Sequence, residues 1–143
     1  MANIASQATV TAYNGGTFSY SYPAYIVDGD KTTWAYKTLG NSIGGVILTF
    51  PSNVFVSTIC LYNPANTATD FLGLRVYVDN VLVKTTDATI PYGQSLSLDI
   101  NATGKVLKFT NGFSSGEQKI SEIEVFGNVV ATVPKNQAMS CGT

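Results

Sequence analysis

Apolar and polar positions alternate with a period of two through much of this 143-residue chain. That is the spacing of a strand with one covered face. Leu74, Val76 and Val78 alternate with Arg75 and Tyr77, and Leu96, Leu98 and Ile100 with Ser95, Ser97 and Asp99. Val54–Tyr62 places Val54, Val56, Thr58, Cys60 and Tyr62 on one face and Phe55, Ser57, Ile59 and Leu61 on the other. Neither face is polar throughout, so this strand is expected to be mostly covered. Val46–Phe50, Val106–Thr110 and Lys119–Phe126 read as further strands, the last ended by Gly127. Weaker strands are expected at Thr9–Tyr13 and Val129–Val133.

The breaks between these runs carry turn chemistry. Asp79-Asn80 predicts a two-residue turn that leads residues 74–78 into a hairpin with Val81–Lys84. Pro51-Ser52-Asn53 and Asn101–Gly104 are expected to turn the chain. Loops are expected over 14–25, 35–45, 63–70, 87–93 and 111–118. No ten-residue window shows a 3.6-residue period with good helix formers. The prediction is an all-β sandwich, one domain over 1–133, with a polar C-terminal tail over 134–143. The chain is long enough to build a core without cross-links.

Only 12% of residues are charged, against about 25% in an average soluble chain. Solubility therefore rests on Thr, Ser, Asn, Gly and Tyr. The formal net charge is -1, Arg75 is the sole arginine, and no basic run exists. Nucleic acid, which needs clustered positive charge, is not an expected partner. No apolar run reaches the length of a membrane helix. The start Met1-Ala2-Asn3-Ile4-Ala5 lacks the basic and apolar regions of a signal peptide. The chain is thus expected to be cytosolic, exported by another route, or a mature domain with an added Met. Cys60 lies in an apolar run and Cys141 near the end. They could bridge, but free thiols are the default reading.

There is no histidine, which removes most Ser-His-Asp, Cys-His and zinc-dependent chemistry. No glycine pair opens a helix after a strand, so phosphate-loop readings fail. Carboxylates are paired at Asp28/Asp30 and Glu122/Glu124. On a strand, Glu122 and Glu124 point the same way about 6.6 Å apart, inside the roughly 5–9.5 Å a glycosidase uses. Strand-face carboxylates are more often solvated or ion-bound, and no enzyme activity is expected.

Asp28-Gly29-Asp30-Lys31-Thr32-Thr33-Trp34 combines carboxylates, hydroxyls and the only tryptophan. Read locally, it is an Asp-Gly turn beside a core aromatic. It also begins like a calcium loop, although the EF-hand pattern fails at Thr33 and Leu39. Further ligands would have to come from far along the chain, with Glu122 and Glu124 as candidates. For neutral sugars, Tyr20, Tyr22, Tyr25, Tyr36 and Tyr62 offer ring faces, and Lys37, Asn63 and Asn66 offer polar groups. The aromatics of 14–25 either cap the core or face a ligand.

Several pieces occur in a recognisable order over about residues 3 to 127: Asn3-Ile4-Ala5; Pro23-Ala24, then Asp28-Gly29-Asp30, a Thr and Trp34; Val46–Phe50; Val54-Phe55-Val56; Leu74–Asp79; and Ile120-Ser121-Glu122-Ile123-Glu124-Val125-Phe126-Gly127. The ordered set resembles a discoidin domain (the coagulation factor 5/8 type C domain) and is similar to family 32 carbohydrate-binding modules. The resemblance implies a jelly-roll, galactose-binding-domain-like sandwich with adjacent N- and C-terminal strands. It implies a structural calcium held by the Tyr25 carbonyl, the Asp28 carboxylate, the Asp30 carbonyl, the Thr33 carbonyl and hydroxyl, the Ser121 carbonyl and the Glu122 carboxylate. The segment between Asp-Gly-Asp and Trp is one residue shorter than usual, so Thr32 or Thr33 takes that role.

The resemblance further implies binding of galactose-type sugars, other glycans or phospholipids through loops at one end. The His and loop Arg common in galactose binders are missing here, and few basic residues flank apolar spikes, so a membrane is the weaker expectation. Two functions stand at this point. One is a noncatalytic carbohydrate-binding domain or small lectin, perceiving neutral, galactose-type glycans or glycoproteins through Tyr20, Tyr22, Tyr36, Lys37, Tyr62, Asn63 and Asn66, with avidity from a homo-oligomer. The other is a structural or adhesive interaction domain that has lost sugar binding.

Overall fold

A computed structural model of the protein describes residues 1–13, 17–19, 26–29, 36–39, 45–62, 69–70, 73–87, 89–90, 94–110 and 118–130. The described residues form twelve strands: β1 (Ala2–Asn3), β2 (Thr9–Tyr13), β3 (Thr17–Ser19), β4 (Tyr36–Leu39), β5 (Gly45–Tyr62), β6 (Thr69–Asp70), β7 (Arg75–Val78), β8 (Val81–Thr85), β9 (Thr89–Ile90), β10 (Ser95–Thr110), β11 (Gln118–Ile120) and β12 (Glu122–Val129). A 3-10 turn at Ala5–Gln7 follows β1. Seven strands share one hydrogen-bonded sheet in the order β1-β12-β5-β10-β7-β8, with β2 also on β5. Two smaller sheets are β11-β4-β3 and β6-β9.

Two long strands turn this one ladder into a sandwich. Residues 45–49 of β5 pair with β2 and with residues 106–110 of β10. Residues 54–62 of β5 pair with β12 and with the first half of β10. The register jumps between Gly104/Val54 and Val106/Thr49, so Phe50–Asn53 of β5 swing past Lys105 alone. Strands that bend at such irregularities pass from one layer to the other and make the corners of a sandwich. The front layer is β2, the first half of β5, the second half of β10, β7 and β8. The back layer is β1, β12, the second half of β5 and the first half of β10. Val46, Leu48, Phe50, Val76, Leu107 and Phe109 from the front meet Val54, Val56, Ile59, Leu61, Leu98, Ile123 and Val125 from the back in one core. Each such side chain contributes about 1.5–3 kcal/mol by leaving water.

The expected turns at 51–53 and 101–104 are therefore corners inside continuous strands. Asn101 supplies the left-handed residue of the second, at φ 51°. The two-face reading of Val54–Tyr62 also needs correction. Val54 and Val56 are buried in the core, but so are Ile59 and Leu61. A bulge at Ser57-Thr58 switches the parity, and the two consecutive hydroxyls meet at 3.3 Å. Gly127 does not end the last strand. It lies within β12 at the bulge that follows Phe126. The strand expected over 119–126 is interrupted at Ser121. Short strands β3, β4, β6 and β9 also occupy segments expected to be loops, because pairing across the chain supplies what local composition does not.

Other expectations hold as read. Asp79 and Asn80, at φ 48° and 66°, form the tight turn between β7 and β8, the backbone that a right-twisted hairpin needs. The Asp79 Oδ1 atom accepts the N–H groups of Lys105 and Val106 at 3.0 Å each, so this turn also clamps the β10 corner. Gly104 makes the close approach possible: a Cβ there would sit 2.5 Å from Val78 Cγ1 and 2.8 Å from Asp79 Oδ2. The terminal strands are adjacent, with Ala2 opposite Gly127 and Asn3 opposite Phe126. Asn3 Oδ1 accepts the N–H of both Ala5 and Val125 at 3.1 Å.

Candidate functional site

The site grows from the end of β5 and the start of β12. Register places Glu122 opposite Tyr62 and Glu124 opposite Cys60. On the other side of β5, Ser95 stands opposite Tyr62 and Ser97 opposite Cys60. Opposed residues of an antiparallel pair share a face, so these six side chains lie together on the outer surface of the back layer. The expectation that Glu122 and Glu124 point the same way holds. The Tyr62 hydroxyl donates to Glu124 Oε1 at 2.6 Å. Burial, and then the hydrogen bond to Glu124, pushes the Tyr62 phenol far above its ordinary range. Ser97 Oγ lies 3.7 Å from Cys60 Sγ, a buried thiol without a disulfide.

The strand break at Ser121 has a visible cause. Its N–H and its hydroxyl both donate to the Tyr62 carbonyl, at 2.9 and 3.2 Å. This tie turns the chain from β11 into β12 and fixes Glu122 beside the strand end. Glu122 points away from the core yet is 0% exposed. Gly29, with φ 81°, donates its N–H to Glu122 Oε2 at 2.8 Å. That positive φ is the backbone an Asp-Gly turn provides through its glycine. Ile26 and Val27, buried in the core, anchor the segment that carries Asp28 and Gly29.

Glu122 Oε1 is buried with no hydrogen-bond partner among the described residues. Loss of water pushes the Glu122 carboxyl up to about 8. The Gly29 N–H opposes this, and the nearby Asp28 carboxylate adds to it. A buried carboxyl with one orphaned oxygen and an acidic neighbour is complete only with a proton or a cation. The donor chemistry fits a hard cation, since calcium accepts carboxylate, hydroxyl and carbonyl oxygens together. Among the described residues no group of three His, Cys, Asp or Glu side chains comes together. Any further ligands from the described residues would have to be carbonyls and hydroxyls. The arrangement does not suit glycoside cleavage, because Glu122 is sealed from substrate and Glu124 is engaged by Tyr62.

The structure thus brings together Asp28, Ser121, Glu122 and Tyr62. Tyr36 and Lys37 lie on β4, where Lys37 is opposite both Phe18 and Ile120. That places the Lys37 backbone two positions from Glu122 in the chain's pairing. Tyr20, Tyr22, Tyr25, Asp30, Thr32, Thr33, Trp34, Asn63, Asn66, Cys141 and the tail 134–143 lie outside the described residues. Sequence reading missed the Tyr62–Glu124 and Gly29–Glu122 bonds. The first could be found once the same-face carboxylates were aligned against β5. The second joins residues with no local signal in common.

The architecture defines a jelly-roll β-sandwich module whose candidate site is built where the end of β5 and the start of β12 meet the Asp28-Gly29 turn. The fold matches known structures across nearly its whole length. A fucolectin from the serum of striped bass (Morone saxatilis) superposes with a TM-score of 0.74 at 16% identity, over 91% of this chain and 48% of that one. The chain thus spans about half the length of that lectin. A fucose binding module of Streptococcus pneumoniae gives 0.67 at 17% identity, over 88% of this chain and 98% of that one. The family 32 CBM from C. perfringens NanJ, in complex with galactose, gives 0.64 at 14% identity, over 86% and 96%. No protein-family model and no curated protein matches the sequence. These likenesses establish the sandwich that the resemblance to discoidin domains implies.

Proposed function

We propose that this chain is a noncatalytic glycan-binding module, working as a small lectin on neutral saccharides. The observation that carries the reading is the near end-to-end match with two single modules, one fucose binding and one in complex with galactose. The binding surface is assigned to the loop end next to Tyr62 and β4, with Tyr20, Tyr22, Tyr36, Lys37, Tyr62, Asn63 and Asn66 as contacts. Tyrosines bring large contact area at low conformational cost, and asparagines meet sugar hydroxyls. Glycans and glycoproteins are the partners, and self-association would raise avidity.

Calcium belongs to the scaffold in this proposal. Glu122 and Asp28 would hold it with the carbonyl of Ser121, joined by Tyr25, Asp30 and either Thr32 or Thr33. When bound, the ion supplies charge compensation and a cross-link between the start and end of the sandwich.

One observation favours a second reading, a structural or adhesive domain without sugar binding: the chain has no histidine, and galactose-binding relatives of the resembled family often use one. Titration with L-fucose, D-galactose and a neutral glycan array, with calcium present, separates the two. Saturable binding that Tyr36→Ala and Tyr20→Ala weaken at unchanged thermal midpoint is the expected result. Flat responses across neutral glycans from folded protein would reject the lectin.

A further inference from the structure

Two phenylalanines of the back layer point away from the core. Phe55 lies between Val54 and Val56 on β5, and Phe126 follows Val125 on β12. All three valines are buried in the core, so strand alternation turns both rings to the outer surface. Each ring is half-buried, and neither packs in the core. Tyr62 shares this surface at the end of β5, and register sets Phe126 opposite Thr58 and Phe55 opposite Asn128. The three aromatics form one line, roughly 20 Å from Tyr62 to Phe55 at the rise of a strand.

Polar groups border the line. Ser97 and Asp99, both exposed, stand on β10 opposite Cys60 and Thr58. Glu124, half-buried, stands on β12 between the levels of Tyr62 and Phe126. Its Oε1 atom accepts the Tyr62 hydroxyl at 2.6 Å, and a carboxylate oriented in advance loses little freedom when it accepts further hydroxyls. The strands of this layer carry Asp99, Glu122 and Glu124 and no Lys or Arg. A sulfated or carboxylated ligand would meet charge of its own sign on them. Rings spaced along a face, bordered by hydroxyl and carboxylate acceptors, suit neutral sugars. The C–H faces of the sugars lie on the rings, and their hydroxyls meet the border. One sugar does not reach from Tyr62 to Phe55, so the fitting ligand is a chain.

We propose that the outer face of the back layer, from Tyr62 through Phe126 to Phe55, is a second binding surface whose ligand is an extended neutral polysaccharide. It adjoins the loop end at Tyr62 but needs no sugar bound there.

The test measures binding of the whole chain to galactan, mannan, xylan, laminarin and dextran, with polygalacturonate and polylysine as charged counterparts. At least one neutral chain should bind, with little change between low and physiological salt. Affinity for its oligosaccharides should rise about tenfold from disaccharide to hexasaccharide. Phe126→Leu, which keeps an apolar side chain and removes the ring face, should weaken polysaccharide binding about tenfold. Phe126→Tyr keeps the ring and should stay within about twofold. Phe55→Leu serves if Phe126→Leu does not fold, with a loss of about fivefold. Tyr77→Leu, at an outward aromatic of the front layer, should stay within about twofold. Absence of binding to every neutral chain, equal affinity for disaccharide and hexasaccharide, or equal losses in Phe126→Tyr and Phe126→Leu would each overturn the proposal. So would polygalacturonate or polylysine bound as tightly as the neutral chain.

Discussion

Gly29 and Glu122 are 93 positions apart in the chain and are joined by a 2.8 Å hydrogen bond from the Gly29 N–H to Glu122 Oε2. The bond leaves Oε1 of a fully buried carboxyl without a partner among the described residues. One early turn and one late strand are thus fastened at a point whose charge state is unsettled until a proton or a cation arrives. The pH behaviour of the fold follows from this.

Folded protein holds the Glu122 proton to about pH 8, whereas an unfolded chain releases it near the ordinary 4.5. Between those values the folded state binds more protons, so stability falls as pH rises through the window and levels off above it. Chelator-treated protein should lose about 1–3 kcal/mol between pH 5 and pH 8. On the proposed calcium reading, the ion should restore most of that loss at pH 8, because it would bind the Glu122 carboxylate in the native state alone. In Glu122→Gln both the pH slope and the calcium response should vanish. Thermal midpoints over pH 5 to 8, with calcium and with chelator, check each arm, and a calcium response surviving in Glu122→Gln would contradict the assignment.

Tyr62 should stay protonated where other tyrosines ionise. In an ultraviolet titration Tyr62 should stay silent until alkaline unfolding, so Tyr62→Phe should leave the ionised-phenol amplitude below unfolding unchanged. Loss of the bond to Glu124 should cost about 1–2 kcal/mol, read from urea midpoints. If every tyrosine titrates together in the native protein, the Tyr62–Glu124 bond is not formed in solution.

Asp79→Ala should cost about 1–3 kcal/mol, since it releases the N–H groups of Lys105 and Val106 at the β10 corner. Gly104→Ala should cost about 1–3 kcal/mol by a different route, because its methyl would press on Val78 and Asp79. The two sites touch, so the double variant should fall short of additivity. Denaturant midpoints of the three proteins decide this.

Asn3→Ala should weaken the N-terminal strand by about 1–2 kcal/mol. Faster hydrogen exchange at the amides of Ala5 and Val125, with the rest of the core unchanged, is the expected signature. Uniform exchange across the sandwich would mean that Asn3 supports nothing local.

Local chemistry made some of this structure legible. Asp79-Asn80 announced a tight hairpin because only a few residues accept two successive left-handed conformations. The Leu74–Val78 alternation named its buried face correctly. The Ser57-Thr58 parity switch carried no such mark, since a bulge is fixed by the register of two neighbouring strands far away in the chain. At the candidate site, Asp28 and Glu122 could be paired from the family-like order of motifs. The Ser121 tie to the Tyr62 carbonyl could not, because serine at a strand break looks like serine in any loop.

The pairing of Ala2 with Gly127 has a mechanical consequence. The two chain ends leave the antiparallel β1–β12 pair at the same edge. A pulling force applied between them would load the hydrogen bonds one after another, as in peeling, instead of shearing them all at once. The sandwich should therefore yield to tension at its terminal seam well before its core is strained. A protein that carries this module at the end of a tether would feel that seam as its first point of give.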